Sequence, residues 1–183
     1  MLLDRFSLTD AELTMFLVQL LVAGNETTRN MISGGLVALA ERPTEWERLR
    51  GDRSVLPSAV EEMLRWTSPV VSFMRTATRD TELGGRTIAA GEPVLMLYAS
   101  ANRDERQFGP TANRFDSGRE PNHHVAFGFG THFCIGATLA RIEGRVLLDE
   151  LLDRFETVEL AGDVERSHSS VIAGVKRAPL VFR

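Results

Sequence analysis

Cys134 is the only cysteine among 183 residues, and it lies in the run Phe127-Gly-Phe-Gly-Thr-His-Phe-Cys-Ile-Gly136. A glycine-rich loop exposes backbone N–H groups, and a helical pattern starting directly after it adds the positive end of a helix dipole. Both favour a thiolate over a thiol. A lone activated thiolate is either a nucleophile or a metal ligand. A nucleophile needs a positioned base, and His132, two residues away in a tight loop, is poorly placed to be one. Zinc would need more ligands than Cys134 and scattered histidines supply. The bland alternative, a small buried hydrophobe, fits such a loop badly.

Two further constellations break local rules. Ala23-Gly-Asn-Glu-Thr-Thr28 puts a glycine, a carboxylate and two hydroxyls into the middle of an apolar helical pattern, where each is a poorer helix residue than leucine or alanine. Such a break inside a strong element is where function is expected. Glu62 and Arg65 lie one helical turn apart and can pair. As an isolated surface pair they would contribute only about 0–1 kcal/mol.

The elements that must position these groups follow from periodicity. Thr9 and Glu12 form a capping box, with Leu8 and Leu13 as its staple, at the head of a helix over Thr9–Ala40. Leu13, Phe16, Leu17, Leu20 and Leu21 recur at helical spacing, and Met15, Val18 and Val22 add apolar residues elsewhere, which predicts a helix buried all round. Pro43 stops it. Short helices are expected over Thr44–Arg50 and Pro57–Trp66, the latter ended by Pro69. Strands are expected over Val70–Thr78, Thr81–Ile88 (with a Gly84-Gly85 turn) and Pro93–Ser100. Asp104–Phe115 reads as a loop with one helical turn. Phe115–Thr131 is long and irregular, a type of segment that is usually functional. Ile135–Phe155 reads as a second long helix, with Leu139, Ile142 and Val146 at helical spacing. Val171–Ala173 and Leu180–Phe182 close the chain as short strands. With no linker, the reading is one domain over 1–183.

Composition narrows the class. With 43% hydrophobic and 25% charged residues the chain can bury a core. A net charge of −4 and a pI near 5.6 argue against nucleic acid as a partner. One cysteine fits a reducing cytoplasm. Met1-Leu-Leu-Asp-Arg-Phe has no signal-peptide form. The longest apolar stretch, Phe16–Gly24, is broken by Gln19 and falls short of the roughly 20 residues of a membrane span.

Taken in order, the three constellations resemble the cytochrome P-450 superfamily, the haem-thiolate monooxygenases. Phe127-x-x-Gly130-x-x-x-Cys134-x-Gly136 is similar to that family's haem signature, Glu62-Met-Leu-Arg65 to its Glu-x-x-Arg pair, and Ala23-Gly24-x-Glu26-Thr27-Thr28 to its oxygen-activation motif on the long central helix. The cysteine signature is specific by itself and the Glu-x-x-Arg pair is not. The resemblance covers essentially the whole chain.

It implies a mainly α fold with small β-sheets, an α+β class, and a haem b cofactor with Cys134 as axial ligand. A thiolate there pushes electron density onto iron and favours O–O cleavage. Gly130 and Gly136 would let backbone approach the porphyrin. Glu26 and Thr27 would deliver protons, Gly24 would leave room for dioxygen, and Thr27 could bond back to the Ala23 carbonyl. Arg119, in the irregular loop, would join Glu62 and Arg65 in a structural triad behind the haem. His132 and Arg75 would donate to the propionates, although Arg75 also reads as an ordinary strand-edge charge. His123, His124 and His168 are read as solvated loop histidines. Leu20, Ala23, Gly24, Val70, Val71, Phe73, Val171 and Ile172 would line an apolar substrate pocket; the alternative is ordinary core. Glu61–Thr76 and Asn102–Gln107 are most similar to bacterial members acting on steroids or branched lipids. Electrons would come from a separate ferredoxin or flavoprotein, because no flavin or nicotinamide fingerprint is present. The implied enzyme is cytoplasmic and inserts one atom of O2 into a C–H bond of a small lipophilic molecule. Family members carry roughly as many residues again before the central helix, so the chain is expected to be a C-terminal fragment, and a truncated non-catalytic haem-binding remnant is the alternative.

Overall fold

The capping box forms as the sequence requires and sets the first helix. In the computed structural model, which describes residues 7–183, the Thr9 N–H donates to Glu12 Oε2 at 2.8 Å and Thr9 Oγ1 accepts from the Glu12 N–H at 3.3 Å. Helix α1 then runs Asp10–Ala40. The Met1–Phe6 segment read for a signal peptide lies outside the described residues. The buried residues of α1 all fall between Asn30 and Leu39. Its first half, expected to be buried all round, instead shows its apolar side chains to solvent: Leu13, Phe16, Leu17, Leu20 and Val22 are exposed and Leu21 is 73% exposed. Helical spacing announces an apolar helix, but burial needs a covering element, and none of the described residues provides one there.

α1 ends at Ala40, ahead of Pro43 as expected, and Pro43 itself stands in the first turn of α2 (Pro43–Gly51), the position where its missing N–H costs no hydrogen bond. After a 3-10 turn at Arg53–Val55, α3 spans Leu56–Thr67, again with a proline in its first turn. It ends on Ser68 in the left-handed region (φ 41°), whose hydroxyl donates to the Arg65 carbonyl at 2.9 Å. Four small antiparallel sheets follow. β1 (Ser72–Thr76) pairs β4 (Pro93–Leu97) with Phe73 opposite Met96, and β2 (Thr81–Leu83) pairs β3 (Arg86–Ile88) across the Gly84-Gly85 turn. The strand expected over Pro93–Ser100 stops at Leu97, because Tyr98–Ala101 winds into a helical turn, α4, with the Asn102 N–H on the Tyr98 carbonyl at 2.9 Å. α5 (Glu105–Phe108) is capped by the Asp104 side chain, and α6 spans Ala137–Arg154. β5 (Val158–Leu160) pairs β8 (Leu180–Phe182), and β6 (Glu165–Arg166) pairs β7 (Val175–Arg177).

The core joins the second half of α1 to α2, α3, α6 and β5, through Met31, Leu39, Trp46, Leu49, Val60, Met63, Leu148, Leu152 and Val158. The Trp46 indole N–H donates to the Glu156 carbonyl at 2.9 Å, and Phe182 packs on Trp46 and Phe155, which ties the last strand to that core. α6 buries Ala137, Gly144, Leu148 and Leu152; Leu139, Ile142 and Val146, although helically spaced, form a separate exposed stripe. The arrangement is a helix-rich α+β fold with small sheets.

Candidate functional site

The cysteine loop is built by backbone bonds among its own residues. The Gly128 N–H donates to the Val125 carbonyl at 2.9 Å, Phe133 to Gly130 at 3.0 Å and Cys134 to Phe127 at 2.9 Å. Gly128 and Gly130 take φ of 73° and 69°, which a Cβ would strain. Gly130–His132 is a 3-10 turn, and Gly136 caps α6 with no side chain of its own. Cys134 is therefore presented at the head of an 18-residue helix, as a free and exposed thiol. Phe127, half-buried, meets Phe133 edge-on at 6.1 Å. In the same loop, Phe129 is 88% exposed, Ile135 81%, and Phe133 is exposed as well.

Behind this loop lies a fully buried ion network. Arg65 grips Glu62 with two bonds of 2.7 Å, and Arg119 Nε donates to Glu62 Oε2 at 3.1 Å. The Asp116 N–H and Asn122 Nδ2 add donors at 2.9 and 3.1 Å. Arg65 also ties down the carbonyls of Asn102, Ala112 and Arg114, and Arg119 those of Thr111 and Arg114. A buried ion pair is tolerable only when its remaining hydrogen-bonding capacity is satisfied, and here the satisfying groups are the backbone carbonyls of Asn102, Thr111, Ala112 and Arg114 and the Asp116 N–H. The three residues read as a triad are thus brought together, and residues 111–122 hang on them.

The neighbouring carboxylate, Glu61, builds a second cluster that sequence reading missed. Arg141 Nε and Nη2 donate to its two oxygens at 2.6 and 2.9 Å, and His124 Nε2 meets Oε2 at 3.0 Å. Burial works to raise the Glu61 carboxyl, but the His124 and Arg141 hydrogen bonds outweigh it and hold the group at about 2. Arg141 is raised, first by its hydrogen bond to Glu61. His124, expected to be a solvated loop histidine, has its side chain buried against α3. The available signal was a histidine three residues before Phe127 and an arginine one turn into α6; nothing in the spacing pairs either with Glu61.

On α1 the Thr27 hydroxyl donates to the Ala23 carbonyl at 2.7 Å. Glu26 turns to Arg29 instead of Thr27, so the two residues read as a proton-delivery pair share no hydrogen bond. A Cβ on Gly24 would meet nothing within 4 Å. Val70 and Val71 are joined to Val171 and Ile172: Val70 bridges Ile172, and the Val71 N–H donates to the Val171 carbonyl at 2.8 Å. Phe73 packs edge-on to Tyr98 at 6.1 Å. These valines and Ile172 are half-buried, whereas Leu20, Phe73 and Val171 are exposed. Arg75 is exposed, donating to the Met74 carbonyl at 3.0 Å, and His132 is exposed too.

An exposed thiol in a loop whose neighbouring residues Phe129, Phe133 and Ile135 are also exposed is open to a large, mostly apolar group. A protein-family model described as Cytochrome P450 matches residues 2–179. The chain belongs to the cytochrome P450 family. A Steroid C26-monooxygenase of Mycobacterium tuberculosis is 42% identical over 182 residues, covering 98% of this chain and 49% of the relative. A Methyl-branched lipid omega-hydroxylase of Mycobacterium bovis is 45% identical over 181 residues, covering 98% and 42%. Among solved P450 structures, CYP108D1 from Novosphingobium aromaticivorans superposes with a TM-score of 0.91 at 44% identity, over 96% of this chain and 43% of that one. CYP109E1 from Bacillus megaterium, in complex with testosterone, gives 0.90 at 41% identity over 95% and 48%. The chain thus spans less than half the length of these P450 relatives. Membership implies haem as the cofactor class. Among the described residues no helix is long and apolar enough to cross a membrane.

Proposed function

We propose that this chain is the haem-binding part of a bacterial, cytoplasmic haem-thiolate monooxygenase that inserts one oxygen atom of O2 into a C–H bond of a small lipophilic substrate. The observation that carries the reading is Cys134: a free, exposed thiol in a glycine loop that also carries exposed Phe129, Phe133 and Ile135. In this reading Cys134 would ligate the haem iron, Phe127, Gly130 and Gly136 would shape the loop that receives haem b, and Arg75 and His132 would donate to its propionates. Thiolate-ligated haem supplies the oxygen-activating chemistry. The protein's own part is to hold the sulfur, exclude water from it with the aromatic side chains of the loop, and present protons. Thr27, with its hydroxyl engaged on the Ala23 carbonyl, loosens the helix hydrogen bonding locally, and Glu26 releases Arg29 to serve it. Glu62, Arg65 and Arg119 anchor the loop.

A steroid, terpenoid or branched lipid suits the apolar residues proposed to line the pocket: Leu20, Ala23 and Gly24 on α1, with Val70, Val71, Phe73, Val171 and Ile172. The named substrates of the steroid and lipid hydroxylases among the relatives support that class, as does the testosterone complex of CYP109E1. A ferredoxin or flavoprotein would supply electrons. The test is the carbon monoxide difference spectrum of the chain loaded with haem and reduced. A strongly red-shifted Soret band, abolished in Cys134→Ser, is expected. A histidine-type spectrum, or no haem uptake, would overturn the reading. Red-shifted haem without turnover of any steroid or lipid, when redox partners are supplied, would mark a non-catalytic remnant.

A further inference from the structure

We propose that Glu61, His124 and Arg141 are positioning residues for Cys134, a planar clamp separate from the Glu62 triad that fixes the loop at its Phe127 end. The importance of this clamp for ligation rests on reading Cys134 as the axial thiolate; the clamp itself does not.

The geometry runs unbroken from α3 to the sulfur's own residue. Arg141 meets Glu61 in a two-pronged fork at 2.6 and 2.9 Å. The same guanidinium lies 4.7 Å over the Phe127 ring, and the Phe127 carbonyl receives the Cys134 N–H at 2.9 Å. His124 closes the other side. Its Nδ1 accepts the Ala126 N–H at 3.2 Å, so the ring proton is on Nε2 and is donated to Glu61 at 3.0 Å. The His124 ring stands 6.0 Å from that of Phe127. One carboxylate therefore sets the plane of an arginine and the tautomer of a histidine, and both flank one aromatic ring. The Val125 N–H, held by Asn102 Oδ1 at 2.8 Å, pins the same stretch to the segment that Arg65 holds.

The two adjacent glutamates of α3 thus divide the work. Glu62 fixes residues 111–122; Glu61 fixes residues 124–134 and the first turns of α6. A bidentate fork that also stacks is a task for arginine and not for lysine, which makes the idea testable independently of charge.

The chain is prepared as wild type, Glu61→Gln, Arg141→Gln and Arg141→Lys, each checked for folding by circular dichroism. Amide hydrogen exchange is read without haem, and the carbon monoxide spectrum after haem loading. In both Gln variants the Cys134 amide should exchange about tenfold faster or more, through local opening, while amides of the Leu148–Leu152 core stay protected. The red-shifted band should give way to one of lost thiolate ligation. Arg141→Lys should fall with the Gln variants despite its charge. Wild-type exchange at Cys134 in Glu61→Gln, or a lysine that restores the arginine behaviour, would overturn the clamp. Should wild type itself lack the red-shifted band, the haem-thiolate reading fails while the exchange experiment still decides the clamp. A variant that does not fold leaves the decision to the other two, because Glu61→Gln preserves shape and Arg141→Lys preserves charge.

Discussion

Glu62 takes five hydrogen-bond donors, two from Arg65 and one each from Asp116, Arg119 and Asn122. Glu62→Ala would leave two buried guanidinium groups without their counter-charge, and a loss of about 3–5 kcal/mol in urea denaturation is expected. Glu61 yields a pH signature. Its carboxyl is held at about 2, below the ordinary 4.5, so the stabilisation it gives is fully present above pH 4.5 and is lost as pH falls toward 2. Solvent at this half-exposed group keeps the effect small. The stability gap between wild type and Glu61→Gln should be widest at neutral pH and close as pH approaches 2, read from tryptophan fluorescence. A third expectation concerns Thr27: in haem-loaded protein with electron donors, Thr27→Ala should spend oxygen without making product, measured as the ratio of product to O2 consumed. At this scale the sequence showed what local spacing encodes. Glu62 and Arg65 are one helical turn apart, and Cys134 sits in a signature. It did not show Glu61 with His124 and Arg141, because positions 61, 124 and 141 share no period and meet only through tertiary packing.

Helices α1 and α3 meet at close quarters where α1 carries Gly34 and Gly35, against Thr67 and Met63. A Cβ on Gly35 would stand 2.2 Å from Met63 Cε and 2.7 Å from its Cγ. Gly35→Ala is expected to cost about 1–3 kcal/mol through overpacking, less to the extent that the flexible Met63 tail gives way; thermal denaturation checks it. Thr9→Ala, by contrast, removes a cap worth about 1 kcal/mol from a half of α1 that packs on little, so it should raise exchange at the first turn without moving the global midpoint. The bounds of α1 and α6 were legible because caps and periodicity are local chemistry. The short strands β5, β6 and β7 were not, since two or three residues carry too little alternation to register. Tyr98–Ala101 misled in the other direction: an apolar run continued past Leu97, but the chain turned helical there.

At the scale of the whole molecule, a packed core coexists with exposed apolar segments. Leu13–Val22 of α1, the Leu139, Ile142 and Val146 stripe of α6, and Phe129, Phe133 and Ile135 of the loop all lie exposed. Exposed apolar area on this scale binds hydrophobic dyes and drives association. Leu21→Glu should lower dye binding while leaving stability within about 0.5 kcal/mol of wild type. The same contrast has a meaning for substrate choice. The residues that hold this fold together lie in the second half of α1, α3, α6 and the Glu62 network, whereas Leu20, Phe73 and Val171 stand outside that core. Substitutions at those three positions carry little penalty to folding, so, if they line the pocket as proposed, the choice of apolar molecule can change there without loosening the framework that holds Cys134 in place.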